Sequence, residues 1–201
     1  MAAHDLFLAQ HARAHAIDLG PADFSNQDLV LRHITDELMR RRPIPGLNSL
    51  AWLFWHISRV EDIAANLIIA ERPQVFDEGD WAARLHVPRR DLGAGMTDPE
   101  VDDLSATIDL AALPPYRAAV GRRTQDVVRA LPPEVLAIVI DAPLLQRARD
   151  AGAFGPNADW VPRRWEGKPK SFALMHTVLA HSYLHLGEAQ VIRGLLGLPN
   201  P

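Results

Sequence analysis

Hydrophobic residues recur at helical spacing in two long segments of the chain. In the C-terminal segment they fall on one helical face, which predicts a single long helix. The apolar positions of this face are Leu174, Val178, Leu179, Leu186, Ala189, Ile192 and Leu196. The other segment, residues 50–71, is apolar on almost every side, so we predict a buried helix at the centre of a bundle. Ser49 supplies a helix cap before it, and Pro73 follows its end.

Caps and prolines predict three further helical regions. Ser25 resembles the first residue of a capping box and would open a helix over residues 25–42. Another helix is predicted over residues 116–131, between two pairs of prolines. A fourth region, residues 134–149, is predicted to be a helix interrupted at Pro143.

Two long connections separate these helices. Residues 73–109 contain short helical pieces, one of them opened by the capping sequence Thr97-x-x-Glu100. Trp81 and His86 stand out in this connection, and we interpret both as packing or surface residues rather than site residues. The second connection, residues 151–170, leads into the last helix. Connections of this length inside a compact domain are often functional.

Two histidines of the last predicted helix are placed to share a ligand. His181 and His185 are four positions apart, so they lie on one helical face with about 6 Å between their Cβ atoms. Two imidazoles so placed can converge on one metal ion, as in the HExxH helix. Because two ligands make a weak site, a third is needed, and His56 in the buried helix is the best candidate.

The alternative for His56 is a core histidine bonded to a backbone carbonyl, which we would favour if it stood alone. Combined with the HxxxH pair, metal ligation is the better hypothesis. Three neutral imidazoles suit Zn²⁺ or Ni²⁺, and they leave a position for water or substrate. That is the arrangement of a catalytic rather than a structural zinc site.

The neighbours of the pair suggest further roles. Glu188, three residues beyond His185, is the candidate catalytic residue; it can act as a base, orient a histidine or form an ion pair. His176 is five residues before His181, an awkward spacing for a partner on the same α-helix, and Tyr183 should point away from the metal. Gly187 costs its helix about 1 kcal/mol relative to alanine. A close helix contact would explain that cost, with substrate access as the alternative.

The other histidines and charges near the predicted helices receive structural interpretations. His4, His11 and His15 fall near one face of an N-terminal helix. We interpret that helix as partly exposed rather than as a second metal site, because no apolar wall surrounds it. Glu61 and Asp62 are rotated off the His56 face, so we expect them to pair with an arginine or another helix.

Composition bounds the function. The 201 residues fit a single domain spanning residues 1–201. A net charge of −4 gives no electrostatic footprint for nucleic acid. The absence of cysteine excludes disulfides, thiolate metal sites and a cysteine nucleophile, so any reacting thiol must come from outside. We see no signal peptide, and the charges within residues 50–70 argue against a membrane span, so we expect a cytoplasmic protein.

Two motifs carry a resemblance to a known family. They are Asn48-Ser49-Leu50-Ala51-Trp52-Leu53-Phe54-Trp55-His56-Ile57-Ser58-Arg59-Val60-Glu61-Asp62 and His181-x-x-x-His185-x-Gly187-Glu188-Ala189-Gln190-x-x-Arg193-Gly194. In this order, on long apolar helices, they resemble the DinB-like superfamily, in its DinB_2 or DUF664-type branch. The resemblance implies an all-α four-helix bundle with long crossover connections and extra short helices. It also implies that His56, His181 and His185 coordinate a divalent metal, beside a crossover that shapes the pocket.

Two functional hypotheses follow. Because some members of the family use low-molecular-weight thiols such as mycothiol, bacillithiol or glutathione, the first is a metal-dependent thiol S-transferase, with a hydrolase as its variant. The second is a non-catalytic, stress-associated bundle with a structural metal. An open metal position would favour the first hypothesis, and a fourth protein ligand, such as Glu188 or His176, the second. The two long apolar helices leave surface for a homodimer.

Overall fold

The computed structural model describes residues 3–20 and 22–199. Regular structure in this part of the chain is helical, apart from one isolated β-bridge between Val139 and Pro169. The all-α prediction is therefore confirmed. The α-helices are α1 (Ala3–Ala14), α2 (Asn26–Leu31), α3 (Asp36–Arg40), α4 (Leu50–Asp62), α5 (Val75–Glu78), α6 (Trp81–Arg84), α7 (Asp98–Thr107), α8 (Leu113–Ala130), α9 (Ala142–Asp150), α10 (Trp160–Trp165), α11 (Lys170–Phe172) and α12 (His181–Leu195).

Two segments of π-helix complete the long helices. The first, π1 (Ile63–Ile69), continues α4, and the second, π2 (Ala173–Ala180), connects α11 to α12. Their hydrogen bonds span five residues, as in the bonds from Ala70 N to Ala65 O and from His181 N to His176 O. A π-helix brings residues five apart onto nearly the same face, which changes the side-chain order beside the candidate site.

Helix α4 forms the centre of the bundle, as its apolar sequence predicts. All of its residues are buried, and it packs against α8 and α12. It begins where expected, because the Ser49 hydroxyl accepts a hydrogen bond from Trp52 N at 3.0 Å. The N-terminal helix α1 contacts α8, π2 and α12, so it is the fourth member of the bundle.

The region predicted as one helix over residues 25–42 is instead two short helices. Ser25 caps α2 as predicted, accepting from Asp28 N at 2.9 Å. The chain then breaks at His33, whose φ of 61° is left-handed, and Thr35 caps α3. A left-handed residue cannot continue a right-handed helix, so the single-helix prediction was wrong. The cap residues inside the segment were the available signal.

The helix predicted over residues 134–149 was also wrong in its bounds. Residues Pro133–Ala137 form a 3₁₀-helix, and α9 begins only after Asp141, whose carboxylate accepts from Leu144 N at 2.9 Å. Pro143 therefore lies in the first turn of α9, where a missing N–H costs nothing. The same rule applies to α8, which begins at Leu113 with two prolines in its first turn.

The long crossover after π1 is fixed to the bundle by a buried carboxylate. Asp62 accepts hydrogen bonds from Val75 N and Phe76 N, both at 2.9 Å. It also accepts from Arg59 at 3.2 Å and from the Tyr116 hydroxyl at 2.9 Å. With the Asn66 amide, which donates at 2.8 Å, five donors satisfy this buried charge, which explains how α4 tolerates it.

The second half of the crossover covers the bundle beside α4. Thr97 and Glu100 form the predicted capping box at the start of α7. Before it, Gly93 approaches the indole of Trp55 so closely that a Cβ atom would be 2.5 Å from the ring. Gly93 also has a φ of +83°, so both the space and the backbone require glycine. Trp81, by contrast, packs into the core as predicted.

None of the helices in the described part of the chain combines the length and the hydropathy that crossing a membrane requires.

Candidate metal centre

The structure brings the three predicted histidines together. The rings of His181 and His185 have their centroids 4.4 Å apart, with 3.2 Å between the two Nε2 atoms. The ring of His56 lies 5.1 Å from that of His181 and 5.0 Å from that of His185. One ring nitrogen from each of the three lies within 4.8 Å of the others. This spacing fits three imidazoles that share one ion.

Helix α4 and the crossover orient the ring of His56. Its Nδ1 donates a hydrogen bond to the carbonyl oxygen of Leu92, and the ring stacks on Trp52 with centroids 4.5 Å apart. With Nδ1 protonated, Nε2 carries the lone pair that a metal requires. The alternative of a core histidine bonded to a carbonyl therefore accounts for Nδ1 of His56 only. Its Nε2 remains available to a metal shared with His181 and His185.

Glu188 orients His185 from outside the cluster. Its carboxylate oxygen Oε2 lies 2.7 Å from Nδ1 of His185, and its Oε1 accepts from the Asn48 amide at 3.4 Å. A carboxylate behind a histidine fixes the ring tautomer and leaves Nε2 for a metal. Of the three roles considered for Glu188, this geometry matches the orienting role. Its use in catalysis stays a prediction.

Electrostatics keep the buried imidazoles neutral. Burial lowers the pKa of His56 to about 3, and the neighbouring His185 adds to the shift. Burial lowers the pKa of His181 to about 2, assisted by repulsion from His56, His185, His176 and Arg164. Neutral imidazole is the form that binds a metal, so the donor set fits a divalent cation of the zinc or nickel type.

The three histidines line a cavity of about 330 Å³ between α4, π2, α10 and the crossover. Its apolar wall is rich in aromatic rings and consists mainly of Trp52, Met96, Val101, Trp160, Trp165 and Phe172. Polar groups reach it from Asn48, Thr177 and Arg164. The crossover thus shapes the pocket as expected, and a cavity of this size suits a small organic molecule.

The π-helix changes the position of His176. An α-helix would rotate a residue five positions before His181 well off its face, as the sequence argument assumed. Because π2 bonds residues five apart, His176 instead lines the same cavity and stacks on Phe172 with centroids 4.7 Å apart. It is not one of the three residues whose nitrogens lie together.

Two other expectations for α12 have opposite outcomes. Tyr183 points away from the cluster as expected, and its hydroxyl donates to the carbonyl oxygen of Gln10 at 2.9 Å. The expected close helix contact at Gly187 is wrong, because a Cβ atom there would meet no atom within 4 Å. The absence of a side chain leaves open space on the exposed side of α12.

A second group of side chains corrects the interpretation of the N-terminal helix. His11 and His15 are not partly exposed: each is 1% exposed, and both contact the fully buried Glu61 of α4. The Nε2 atom of His11 lies 2.7 Å from Oε1 of Glu61, and that of His15 lies 2.9 Å from Oε2. The apolar surroundings that the sequence of α1 does not indicate come from the other helices of the bundle, against which α1 packs. The structure thus holds a second group with the composition of a metal site.

Sequence reasoning missed Arg164 and Thr177 as cavity residues. Arg164 belongs to a short helix in a connection, and no spacing relates it to the histidines. Thr177 lies in π2, where α-helical periodicity fails. The free hydroxyl of Thr177 is the clearest structural signal, since its buried Oγ1 atom has no hydrogen-bond partner among the described residues.

Comparisons with known proteins agree with this fold. A conserved protein from Enterococcus faecalis, known from its crystal structure, matches with a TM-score of 0.68 and 19% sequence identity; the match covers 98% of this chain and 99% of that chain. At that identity the likeness shows the fold alone. A search of curated proteins found no match. The family model DinB_2, of the DinB superfamily, matches residues 25–189, which include the whole first motif and the second motif from His181 to Ala189. The chain therefore belongs to the DinB superfamily.

Proposed function

We propose that the protein is a divalent-metal-dependent enzyme that transfers an external low-molecular-weight thiol to a small electrophilic substrate. The observation that carries the proposal is the position of His56, His181 and His185 in the wall of a 330 Å³ cavity. Three protein ligands beside open space match the layout of a catalytic metal site rather than a closed structural one. Hydrolysis by activated water is the variant of this proposal.

The three histidines would hold Zn²⁺ or Ni²⁺ through their Nε2 atoms. A divalent ion there lowers the pKa of a thiol or water that it binds, which makes the nucleophile available near neutral pH. Because the chain has no cysteine, the thiol must be a separate molecule. The open volume between the histidines and the aromatic wall is where that molecule and its partner would bind.

The protein's own residues then position and shield the reactants. The Leu92 carbonyl and the Glu188 carboxylate fix the rings of His56 and His185, so the ligand geometry exists before binding. The aromatic wall, which includes Trp52 and Trp165, removes water from bound substrate and strengthens electrostatic interactions. His176 also lines the cavity and is a candidate for moving a proton.

A structural metal is the alternative function class, and it needs a fourth protein ligand. Glu188 already bonds the far side of His185, and His176 stacks on Phe172. Among the described residues, the cluster beside the cavity contains three ligand groups. The alternative therefore has less support than an open site.

The test is a thiol-consumption assay on metal-free protein reloaded with Zn²⁺, Ni²⁺, Mn²⁺ or Co²⁺. Glutathione, bacillithiol and mycothiol are each offered with a chlorinated aromatic electrophile, and ester hydrolysis is followed in parallel. We expect metal-dependent turnover that disappears in His56→Ala. Retained metal without turnover of any thiol or ester would favour the structural alternative. The matched control is His86→Ala, which changes a histidine outside the cavity.

We also propose that the protein forms a homodimer through the outer side of α12. Leu184, Val191 and Leu195 are exposed there by 68%, 62% and 51%. They lie seven and four positions apart, so they form one apolar stripe, with Gly187 and Gly194 between them. Light scattering should report a dimer that the double variant Leu184→Glu/Val191→Glu converts to monomer, and a monomeric parent would contradict the proposal.

A further inference from the structure

We propose that the cavity contains a carboxylate-binding subsite formed by Arg164 and Thr177, so that the thiol or its substrate carries a carboxylate. The inference rests on the proposed function, because it concerns a molecule held beside the three histidines. It adds the chemical class of the ligand, which the histidines alone leave open.

The charges around the cavity are unbalanced. Its lining, as far as residues 3–20 and 22–199 provide it, includes Arg164 but no aspartate or glutamate. Glu188 lies behind His185 rather than in the lining. A divalent ion held by the three histidines would add two positive charges to that of the arginine. An apolar wall focuses such a field, so the cavity attracts anions.

The exposed side chain of Arg164 forms no ion pair within the described part of the chain, whereas two other arginines do. Arg149 pairs with Asp159 at 3.0 Å, and Arg89 pairs with Asp91 at 2.8 Å. The described contact of Arg164 is with the ring of Trp160, whose centroid is 5.8 Å away. The same side chain lines the cavity that the three histidines also line. An anion bound in the cavity would be attracted by this guanidinium and by a metal ion held by the histidines.

Thr177 is a second, independent indication of a polar ligand. Its side chain lines the cavity, is 6% exposed and has no hydrogen-bond partner for Oγ1 among the described residues. A helical hydroxyl usually bonds the carbonyl four residues earlier, as Ser182 does with Val178 at 2.9 Å. Thr177 lies in π2, where that local bond is not made. A buried hydroxyl without a partner is costly, and a ligand oxygen would satisfy it.

One guanidinium and one hydroxyl suit a carboxylate better than a phosphate. A guanidinium binds the two oxygens of a carboxylate through parallel hydrogen bonds, which gives orientation as well as affinity. A phosphate has three terminal oxygens and a larger charge, and it usually requires more donors. The volume of 330 Å³ also favours a small ligand. We therefore choose the carboxylate, and the test includes a tetrahedral oxyanion.

The test measures binding rather than turnover. Co²⁺-loaded protein is titrated with 3-mercaptopropionate, 3-mercaptopropanol and 3-mercaptopropanesulfonate, and the sulfur-to-cobalt absorption band in the near ultraviolet reports binding. We expect the carboxylate to bind at least about tenfold more tightly than the alcohol. The variant Arg164→Gln should abolish that preference, and Thr177→Val should reduce it. Arg163→Gln is the matched control, because Arg163 is exposed like Arg164 but lies outside the lining.

The possible outcomes distinguish a failure of the carboxylate subsite from a failure of the proposed function. If Co²⁺ does not bind, or no thiol produces the band, the proposed function fails. If all three thiols bind equally, or if Arg164→Gln keeps the preference through direct chelation, the subsite is refuted while the metal site stands. Sulfonate binding as tight as that of the carboxylate would overturn the choice of a carboxylate. Far-ultraviolet circular dichroism and cobalt stoichiometry establish that each variant is folded and loaded.

Discussion

Helix α4 contributes one residue to each of two similar clusters, and the comparison shows what makes a metal site. His56 meets the pair His181 and His185 of α12, while Glu61, five residues further along α4, meets His11 and His15 at the end of α1. In both pairs the histidines are four positions apart and their ring centroids are 4.4 Å apart. The pairs differ in the residue that they face and in their access to a cavity.

In the cluster around Glu61 both carboxylate oxygens have hydrogen-bond partners, although the buried Nδ1 atoms of His11 and His15 have none among the described residues. Each oxygen of Glu61 faces one imidazole Nε2, at 2.7 Å from His11 and 2.9 Å from His15. With those nitrogens protonated, the buried charge has two donors, and the nearby Arg117 provides further compensation. No cavity residue belongs to this cluster. We therefore interpret it as a clamp that fixes α1 to α4.

The cluster of three histidines has no carboxylate at its centre to accept hydrogen bonds from the ring nitrogens. His56 and His185 direct their Nδ1 atoms to Leu92 and Glu188, which leaves the Nε2 atoms facing one another without a carboxylate. A cation bound between the Nε2 atoms would be held by their lone pairs, and it could enter through the adjoining cavity. The spacing of a histidine pair is thus the same in a clamp and in a candidate metal centre, and the third residue distinguishes the two.

The largest effect should come from removing the carboxylate of the clamp. Glu61→Leu leaves two buried imidazole N–H groups without an acceptor, so we expect it to lower the free energy of unfolding by about 3 kcal/mol. Urea denaturation in the presence of a chelator measures the change. Bound metal should persist in the folded variant. A loss below about 1 kcal/mol would show that the clamp contributes little.

The next effect concerns the orientation of His185. Glu188→Gln weakens the acceptor that fixes the ring, so we expect metal affinity to fall about 10- to 100-fold, with little change in stability. Competition with a chromogenic chelator provides the affinity. Gln190→Glu, on the exposed side of the same helix, is the control for altered charge. Unchanged affinity in Glu188→Gln would remove the orienting role.

The clamp should also make stability depend on pH. Burial, followed by the charge of Arg117, lowers the pKa of His15 from 6.5 to about 3. Burial alone would raise the pKa of Glu61, but the two histidines outweigh it and hold that pKa well below its ordinary value. Each group then binds a proton more readily in the unfolded chain than in the folded one. Stability due to both groups is therefore present at neutral pH and is lost as pH falls.

We expect metal-free wild-type protein to lose stability more steeply than His15→Gln between about pH 6.5 and about pH 5. In this window the unfolded wild-type chain takes up a proton at His15 that the folded chain does not. Denaturant titrations at several pH values give the two slopes. Parallel slopes would show that His15 is not held neutral by its burial.

The last prediction compares the effects on stability of replacing two glycines by alanine. A Cβ atom at Gly121 of α8 would lie 2.8 Å from the His15 ring and 2.7 Å from Leu19, so Gly121→Ala should cost about 1–3 kcal/mol. A Cβ atom at Gly187 meets nothing, so Gly187→Ala should stabilise α12 by up to about 1 kcal/mol. Thermal melts of both variants test the signs. Destabilisation by Gly187→Ala would point to a role for its open surface.

The sequence predicted the candidate metal centre better than the clamp, for a physical reason. His181 and His185 are related by local helical spacing, and the family motifs pair them with His56. The partners in the clamp are 46 and 50 residues apart, so only the packing of α1 on α4 brings them together. A helix with histidines and few large apolar residues gives no local sign that it is buried.

The remaining errors arise where local rules compete. The break at His33 needs a left-handed residue, and nothing in the amphipathic pattern of that segment requires one. The π-helix π2 packs against π1, and its hydrogen-bond pattern, which the α-helical periodicity does not predict, brings His176 and Thr177 to the cavity. Arg164 reaches the same cavity from α10, in a connection whose path the sequence does not determine.

The most direct test of the central comparison is the metal content of untagged protein, measured by mass spectrometry on three chains. The parent is compared with His181→Ala/His185→Ala and with the matched double variant His11→Ala/His15→Ala. We predict about one zinc or nickel ion per chain in the parent and in the clamp variant, and almost none when the α12 pair is removed. Metal that is lost with His11 and His15 but retained without His181 and His185 would contradict the account, as would a parent that binds no metal after loading.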